Sequence, residues 1–348
     1  MKLKNTGIIL ATVSLAFLTG SLHAQKVDLI NNEKDKKVEV KVDGKPFTAY
    51  YYPGEKVLKK AVLYPVQTAR GTIITRGWPL DPRPGERVDH PHHVGIWLNY
   101  ESVNGNDYWN NSDAVDHAKR AYGTIVHTGI TSVKSGKDKG ELKVTADWID
   151  KDGTLTLKET TTYVFSGKGD TRVIDRATTL TAVVDEVAMP DIKDGMFAIR
   201  VARELEIPSN KPEIFTDASG IATKVPVMNN EGITGNYRNS NGIEGEAVWG
   251  KRAIWCNLTG KIKDENISVA IIDHPKNVGY PAYWHARGYG LFAVNPLGMK
   301  ALSEGKETLN FKLKKGESTT FRYRMVIASE HLKDAALNDM AAAYAKTK

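Results

Sequence analysis

Residues suited to chemistry are concentrated between Asp89 and Trp109, in D-H-P-H-H-V-G-I-W-L-N-Y-E-S-V-N-G-N-D-Y-W. This stretch holds three of the nine histidines of the chain within four positions, together with two tryptophans. Polar groups of this kind cost free energy when they are buried without partners, so an ordinary core strand does not carry them. An imidazole that transfers protons or binds a metal, beside an indole that stacks on a ligand, suits a small-molecule site.

Alternation along an extended strand divides these residues between two faces. From His93 to Tyr100 the residue types favour a strand, whose successive side chains point to opposite faces. One face would carry His93, Gly95, Trp97 and Asn99, and the other would carry His92, Val94, Ile96, Leu98 and Tyr100. We predict that the second face is core and that the first face is one wall of a binding site.

A second stretch, from Ile267 to Gly298, has a similar character. It begins as a buried strand, I-S-V-A-I-I, and continues to P-A-Y-W-H-A-R-G-Y-G-L-F-A-V-N-P-L-G. On a strand, Tyr283, His285, Arg287 and Tyr289 would share one face, and Asn295 follows at the strand end. Rings and charges in register on one face are typical of a cleft lining. A single site built from both stretches requires that they meet in space.

The remaining chain predicts an all-β protein built as one large sandwich. Short alternating segments with turns at Asp43-Gly44 and Pro53-Gly54 are typical of strands and hairpins. Further strands are predicted at Gly123–Ile130, Glu141–Ile149, Leu155–Phe165 and Thr171–Val184. An alanine-rich tail predicts a short terminal helix at Asp334–Ala345. No linker or repeat divides residues 25–348, which we expect to form one domain.

Residues 1–24 have the layout of a secretory signal peptide. Lys2 and Lys4 precede an apolar run that ends before Ser21-Leu22-His23-Ala24, and we expect cleavage after Ala24 and a periplasmic location. An anchor helix is the alternative, although the run is shorter than the ~20 residues of a membrane span. No other long apolar run exists, so we expect no stable membrane insertion after cleavage.

The charge of the chain argues against a nucleic-acid partner. Removal of residues 1–24 takes away two lysines and no acid, which lowers the formal net charge from +7 to +5. The lysines are scattered, whereas nucleic-acid binding needs a basic patch or stripe. The expected partner is a small-molecule or oligosaccharide substrate.

Several longer motifs support a family resemblance: H-P-H-H-V-G-I-W, V-N-G-N-D-Y-W, A-V-W-G-K-R-A-I-W, I-D-H-P-K-N and Y-W-H-A-R-G-Y-G-L-F-A-V-N-P-L-G. With them the chain resembles the PmoA-like family of exported bacterial proteins, a domain of unknown function, over nearly all of its length after residue 24. The family's automatic label, methane oxygenase, implies a multi-span membrane protein, and this chain lacks such spans. The resemblance implies a galactose-mutarotase-like β-supersandwich and a place in carbohydrate metabolism, and it transfers no catalytic residues.

A carbohydrate-active enzyme is the first functional hypothesis, of lyase, hydrolase or mutarotase-like epimerase type. Such reactions need an acid and a base on opposite sides of the reacting carbon. The candidates for catalysis are His93, His285, Asp107 and Glu246. The candidates for substrate binding are the arginines, amides and rings that suit hydroxyl edges and C–H faces, namely Arg76, Trp97, Asn99, Trp109, Arg200, Tyr283, Arg287 and Asn295.

Two further hypotheses stay open. A divalent metal, the one cofactor that the sequence raises, would be held by His90, His92 and His274, since His-x-His is a common ligand spacing and open zinc sites use three protein ligands. The same histidines could instead be hydrogen-bonded braces beneath the site. The last hypothesis is a non-catalytic carbohydrate-binding protein, for which aromatic and amide side chains suffice.

Overall fold

The computed structural model describes residues 25–217, 219, 221–225 and 229–347. The predicted signal peptide, residues 1–24, lies outside the described residues. In chain order the strands are β1 (Val27–Asn32), β2 (Lys37–Val42), β3 (Lys45–Tyr51), β4 (Val62–Leu63), β5 (Ile96–Tyr100), β6 (Thr124–Lys134), β7 (Lys139–Ile149), β8 (Leu155–Lys168), β9 (Thr171–Ala182), β10 (Glu186–Met189), β11 (Gly195–Arg200), β12 (Glu213–Thr216), β13 (Ala222–Val225), β14 (Asn236–Asn239), β15 (Trp255–Ile262), β16 (Glu265–Asp273), β17 (Tyr283–Arg287), β18 (Leu291–Asn295), β19 (Phe311–Lys314) and β20 (Ser318–Ala328). The helices are α1 (Met299–Leu302) and α2 (Asp334–Tyr344), with 3-10 turns at Arg203–Leu205 and Gly245–Val248.

Two antiparallel sheets of eight strands dominate the described part of the chain. The first sheet has the order β1-β2-β3-β4-β5-β11-β18-β17, and the second has the order β14-β15-β16-β20-β9-β8-β7-β6. Two short ribbons, β10-β19 and β12-β13, complete the strand pairing. The predicted all-β class and large β-sandwich are therefore confirmed, as is the terminal helix.

The core lies between the inner faces of the two sheets. Phe197 on β11 stacks on Tyr323 of β20 with ring centroids 5.1 Å apart, and Phe47 on β3 meets Phe165 of β8 at 6.3 Å. Strands form here because β-branched and aromatic residues alternate with polar ones, as in T-R-V-I-D-R-A-T-T-L-T-A of β9, which is buried at every second position. Removal of this apolar surface from water drives the two faces together.

Strand β5 begins later than the sequence predicts, at Ile96 rather than His93. The chain before it turns sharply, with φ angles of 44° at His90 and 59° at Gly95. A side chain at Gly95 would place its Cβ 2.2 Å from the carbonyl oxygen of Leu63, so only glycine fits. The predicted face alternation from His92 to Gly95 is therefore wrong, and the histidines lie in a turn in front of the strand.

From Ile96 onward the predicted faces are confirmed. Ile96, Leu98 and Tyr100 join the core between the sheets, while Trp97 packs in a separate cluster on the outer face of the first sheet. The strand register places Trp97, Ala198, Ala293 and His285 in one row across β5, β11, β18 and β17. Three strand spacings separate the ends of this row, ~14 Å in all. The histidine stretch and the part of the second stretch from Tyr283 to Asn295 thus meet on one sheet, whereas the part at Ile267–Asp273 belongs to the other sheet.

Candidate functional site

Arg76 holds the histidine turn in shape. Its guanidinium donates to the backbone carbonyls of Arg87, Asp89, His90 and His93 at 2.8 to 3.3 Å, and the residue is 1% exposed. Its η nitrogens are therefore occupied by the loop that precedes β5. The prediction that Arg76 binds substrate is not supported, because its donors serve the backbone of the site instead.

Asp89 joins Arg76 to a second buried arginine. Its Oδ1 accepts from Arg76 at 2.6 Å and from Arg200 at 2.7 Å, and its Oδ2 lies 2.8 Å from Nδ1 of His90. Burial acts to raise the pKa of Asp89, but the contacts with Arg200, His90 and Arg76 outweigh burial and lower the pKa well below its ordinary value. Arg200, on β11, is fully buried, and its η nitrogens face Asp89 and His93, so its predicted role in substrate binding is not supported.

A column of rings leads from the surface into this cluster. Tyr289 stacks on His90 with centroids 5.1 Å apart, and His90 stacks on His93 at 4.8 Å. His93 in turn stacks on Trp97 at 5.2 Å. The side chain of His90 is 40% exposed, whereas Trp97 is fully buried. The exposed end of the column is therefore the pair of His90 and Tyr289.

His93 is held as a neutral donor. The Nη1 atom of Arg200 lies 3.3 Å from Nδ1 of His93, and a guanidinium only donates, so Nδ1 accepts. Burial, with His92 and His90, lowers the pKa of His93 well below its ordinary value, so the ring is uncharged at neutral pH. Its proton then resides on Nε2, which is buried without a hydrogen-bond partner. His93 suits donation to a ligand better than proton abstraction.

Lys60 enters the same cluster from the segment before β4. Its Nζ donates to the carbonyl of His92 at 2.7 Å and lies 5.4 Å from the ring centroid of Trp97. Among the described residues no carboxylate lies within salt-bridge distance of this amine. Burial lowers the pKa of Lys60 to about 7. No sequence pattern marks Lys60, because only the fold brings it to Trp97.

At the other end of the face, two carboxyl groups meet a histidine. The backbone N–H of Glu101 donates to the carbonyl of Asp194 at 3.0 Å, and Oδ1 of Asp194 lies 3.4 Å from Nδ1 of His285. Burial, together with the Asp194 and Asp107 carboxylates, raises the pKa of Glu101 to about 7, although Arg120 donates to its Oε1 at 2.9 Å and acts in the opposite direction. Burial lowers the pKa of His285 to about 4, so its ring is neutral at pH 7.

Sequence reasoning missed Glu101 and Asp194, although alternation could have found both. Glu101 continues the outward-facing series of Trp97 and Asn99, and Asp194 directly precedes β11. Carboxylates at strand ends look like ordinary solvated residues until the pairing of β5 with β11 is known.

Asp107 and Trp109 shape the loop after β5. The carboxylate of Asp107 accepts from the backbone N–H groups of Trp109 and Asn110, from the Asn110 side chain and from Arg120. Its predicted catalytic role is not supported, because both oxygens are occupied by these donors. Trp109 is buried 5.3 Å from Trp97, so the prediction that these two indoles stack on a ligand is wrong for this arrangement.

The predicted amides have different roles. Asn99 donates to the carbonyl of Tyr108 at 2.6 Å, while its Oδ1 is buried and unpaired. Asn295 donates to the carbonyls of Ile192 and Lys193, and its Oδ1 accepts from the N–H of Leu297. Asn99 therefore retains a free acceptor for a ligand, whereas Asn295 positions the segment that carries Asp194.

Three other predicted residues lie at the margin of the face. Tyr283 donates to Glu307 at 2.8 Å and packs against Arg252. Arg287 is exposed, with its guanidinium 5.8 Å from the ring centroids of both Trp249 and Tyr289. Glu246 is also exposed, beside Gly288 in the β17-β18 turn, and the structure does not bring it to His93 or His285.

The proposed metal ligands do not come together. His274 ends the β16 region of the second sheet, where its Nδ1 accepts from the N–H of Lys276 and its ring meets Tyr344. His90 and His92 belong to the turn before β5, with ring centroids 5.6 Å apart. Among the described residues no group of three or more His, Cys, Asp or Glu side chains could hold a metal ion. The set of His90, His92 and His274 is therefore wrong as a metal site.

A cavity of about 790 Å³ lies elsewhere, beside Arg83, Arg203 and Phe215. It shares no residue with the histidine face. Two of its arginines are already paired, Arg83 with Glu86 and Arg203 with Glu206, both at 2.6 Å. We place the candidate site at the histidine face, because unpaired buried nitrogens of His92, His93 and Trp97 are adjacent there.

Comparisons with known proteins identify a family but no activity. No curated protein matches the chain. A galactosidase domain of an alpha-galactosidase-sucrose kinase, AgaSK, is similar at 9% identity and a TM-score of 0.41, over 87% of this chain and 42% of that one. The chain thus spans less than half of that structure. The Slr1438 protein of Synechocystis sp. PCC 6803 is similar at 9% identity and a TM-score of 0.34, over 92% of this chain and 100% of that one.

Among the described residues, no helix combines the length and the apolar character that a membrane crossing requires.

The resemblance to the PmoA-like family stays a prediction. The model of a family of unknown function, DUF6807, matches residues 37–342, which is most of the sequence. The chain therefore belongs to the DUF6807 family.

Proposed function

We propose that this protein is an exported, periplasmic carbohydrate-active enzyme whose site is the outer face of β5, β11, β18 and β17. One observation carries the proposal. A carboxylic acid with a raised pKa, Glu101, and a neutral imidazole, His285, flank Asp194 on the face that also bears His93 and Trp97. In acid–base catalysis, the environments of two titratable groups commonly shift their pKa values apart, so that one group is protonated while the other is not.

The polar atoms of the face suit a sugar. His93 Nε2 and Trp97 Nε1 are buried donors without partners, and Asn99 Oδ1 is a buried acceptor without one. Hydroxyl groups both donate and accept, so a sugar ring can satisfy all three. The rings that could contact its C–H face are the less buried ones, Tyr289 and Trp249, on either side of Arg287.

Elimination next to a carbonyl is the reaction that the protonation states favour. His285 would take a proton from the carbon beside a ketone, and the C–H electron pair would become part of a new double bond. The leaving oxygen would depart with the proton of Glu101, so that charge and atoms balance. Hydrolysis by two carboxylates is the alternative; it needs two carboxyl groups about 5 to 9.5 Å apart, and Glu101 and Asp194 are the pair that this face offers.

A reaction screen tests this proposal. Purified residues 25–348 would be incubated with glycosides and with glycosides oxidised to a ketone at one ring carbon, with and without chelator, and products would be followed by mass spectrometry. We expect turnover of the keto-glycosides that chelator does not abolish. Absence of turnover with every member of the panel would refute the proposal that the protein is an enzyme.

Substitutions then test which side chains transfer protons. Glu101→Gln and His285→Gln should each lower turnover by about 10²-fold or more, because each removes a proton-transfer group. Asp170→Asn, at an exposed ion pair with Arg70, is the matched control and should not change turnover. A non-catalytic sugar-binding protein would show affinity without turnover, and its affinity would fall by no more than about tenfold in His285→Gln.

A further inference from the structure

The buried cluster around Trp97 has more hydrogen-bond donors than acceptors. Within the described part of the chain Trp97 Nε1 has no partner, and an indole nitrogen only donates. His93 Nε2 has no partner either, and it carries the ring proton because Nδ1 accepts from Arg200. Lys60 uses one of its three N–H groups, on the carbonyl of His92. These donors are adjacent, since the ring centroid of Trp97 lies 5.2 Å from that of His93 and 5.4 Å from Nζ of Lys60.

Cationic side chains outnumber anionic ones in the cluster. Lys60, Arg76 and Arg200 are buried, and Asp89 bridges the two arginines without reaching Lys60. The next carboxylate, Asp107, is already bound to Arg120 and to the backbone of its own loop. Buried charges are normally paired, so a cluster with surplus cations and unpaired donors lacks an anion.

We propose that this cluster binds a carboxylate of the substrate, through Lys60, His93 and Trp97, and that the sugar acted on is therefore an acidic one such as a uronate. The inference rests on the proposed function, because it names the substrate class of the same face. The lowered pKa of Lys60 supports it, since an amine destabilised by burial gains most from an incoming anion. The substrate reaches the cluster past His90, whose side chain stacks on His93 and is 40% exposed.

Matched sugar pairs test the inference by calorimetry. The wild-type protein would be titrated with glucuronate and glucose, and with galacturonate and galactose. We expect at least one uronate to bind about tenfold or more tightly than its neutral partner, as a hydrogen bond to a charged group requires. Equal affinity for both members of each pair would overturn the inference.

Two neighbouring lysines provide matched variants. Lys60→Met should remove the preference for the uronate, so that the uronate and its neutral partner bind with affinities within about threefold of each other. Lys59→Met is the control, because Lys59 is paired with Asp113 at the surface and should keep the full preference. A preference that persists in a folded Lys60→Met protein would contradict the role of Lys60. If Lys60→Met does not fold, the wild-type comparison alone decides.

The outcomes also separate this inference from the proposed function. Turnover of neutral keto-glycosides without any preference for uronates would support the proposed enzymatic function and refute the carboxylate-binding role of the cluster. Failure of every sugar, acidic or neutral, to bind or react would refute both.

Discussion

Nδ1 of His93 faces the guanidinium of Arg200 at 3.3 Å, and both side chains are almost completely buried. An arginine has no lone pair to offer, so this contact determines which nitrogen of the imidazole carries the proton. The role of His93 therefore follows from the residue on the neighbouring strand and not from the histidine motif itself.

His93 should remain a neutral Nε2–H tautomer across the ordinary pH range. Burial lowers its pKa well below the usual value, so no protonation is expected near pH 6.5, where an ordinary histidine titrates. Long-range nitrogen–proton NMR spectra of histidine-labelled protein would report the tautomer, with His93→Gln used to assign the signal. A ring that becomes charged near pH 6.5 would contradict the arrangement.

Asp89→Ala should destabilise the protein by about 3 to 5 kcal/mol, because it leaves two buried arginines without their shared carboxylate. Asp170→Ala removes an exposed ion pair and should cost less than about 1 kcal/mol. Urea unfolding at pH 7 measures both. The folded pKa of Asp89 is lowered, so its contribution is present above its unfolded pKa and declines only as pH falls further. Equal effects of the two substitutions would refute the bridging role.

Arg76→Met should loosen the histidine turn. Four backbone carbonyls lose their donor, at about 1 kcal/mol each, so we expect a loss of about 3 kcal/mol or more. Hydrogen exchange should accelerate at residues 87–93 in particular. Arg70→Met is the control, since Arg70 is exposed and pairs only with Asp170. Unchanged exchange in Arg76→Met would show that the turn holds its shape without this arginine.

Glu101→Gln should flatten the dependence of stability on pH. The folded pKa of Glu101, about 7, lies above its ordinary value of 4.5. Its contribution is therefore fully present below about pH 4.5 and is lost as pH rises through about 7. The unfolding free energy of the wild type, relative to Glu101→Gln, should thus fall between these pH values. For Glu330→Gln, at an exposed position, the unfolding free energy should depend on pH in the same way as for the wild type. Parallel curves for Glu101→Gln as well would refute the raised pKa.

Much of the fold could be predicted because strand alternation is a local property. The outward direction of Trp97 and the inward direction of Leu98 follow from period-two burial, and the structure has both. The start of β5 could not be predicted, because the turn depends on how nearly Gly95 approaches Leu63, a residue more than thirty positions earlier. His274 was wrongly grouped with the other histidines, because residue type says nothing about which sheet a strand joins.

By itself, the sequence determined the class of fold, the face that Trp97 and Asn99 share, and the concentration of chemistry in two stretches. Only the tertiary structure decided how these residues act. In the folded protein Lys60 lies beside Trp97, and Asp194 lies beside Glu101 and His285. Arg76 and Asp107 hydrogen-bond to the backbone of their loops. The physical reason is that protonation and hydrogen bonding depend on burial and on neighbours from distant strands, and these exist only after the sheets have paired.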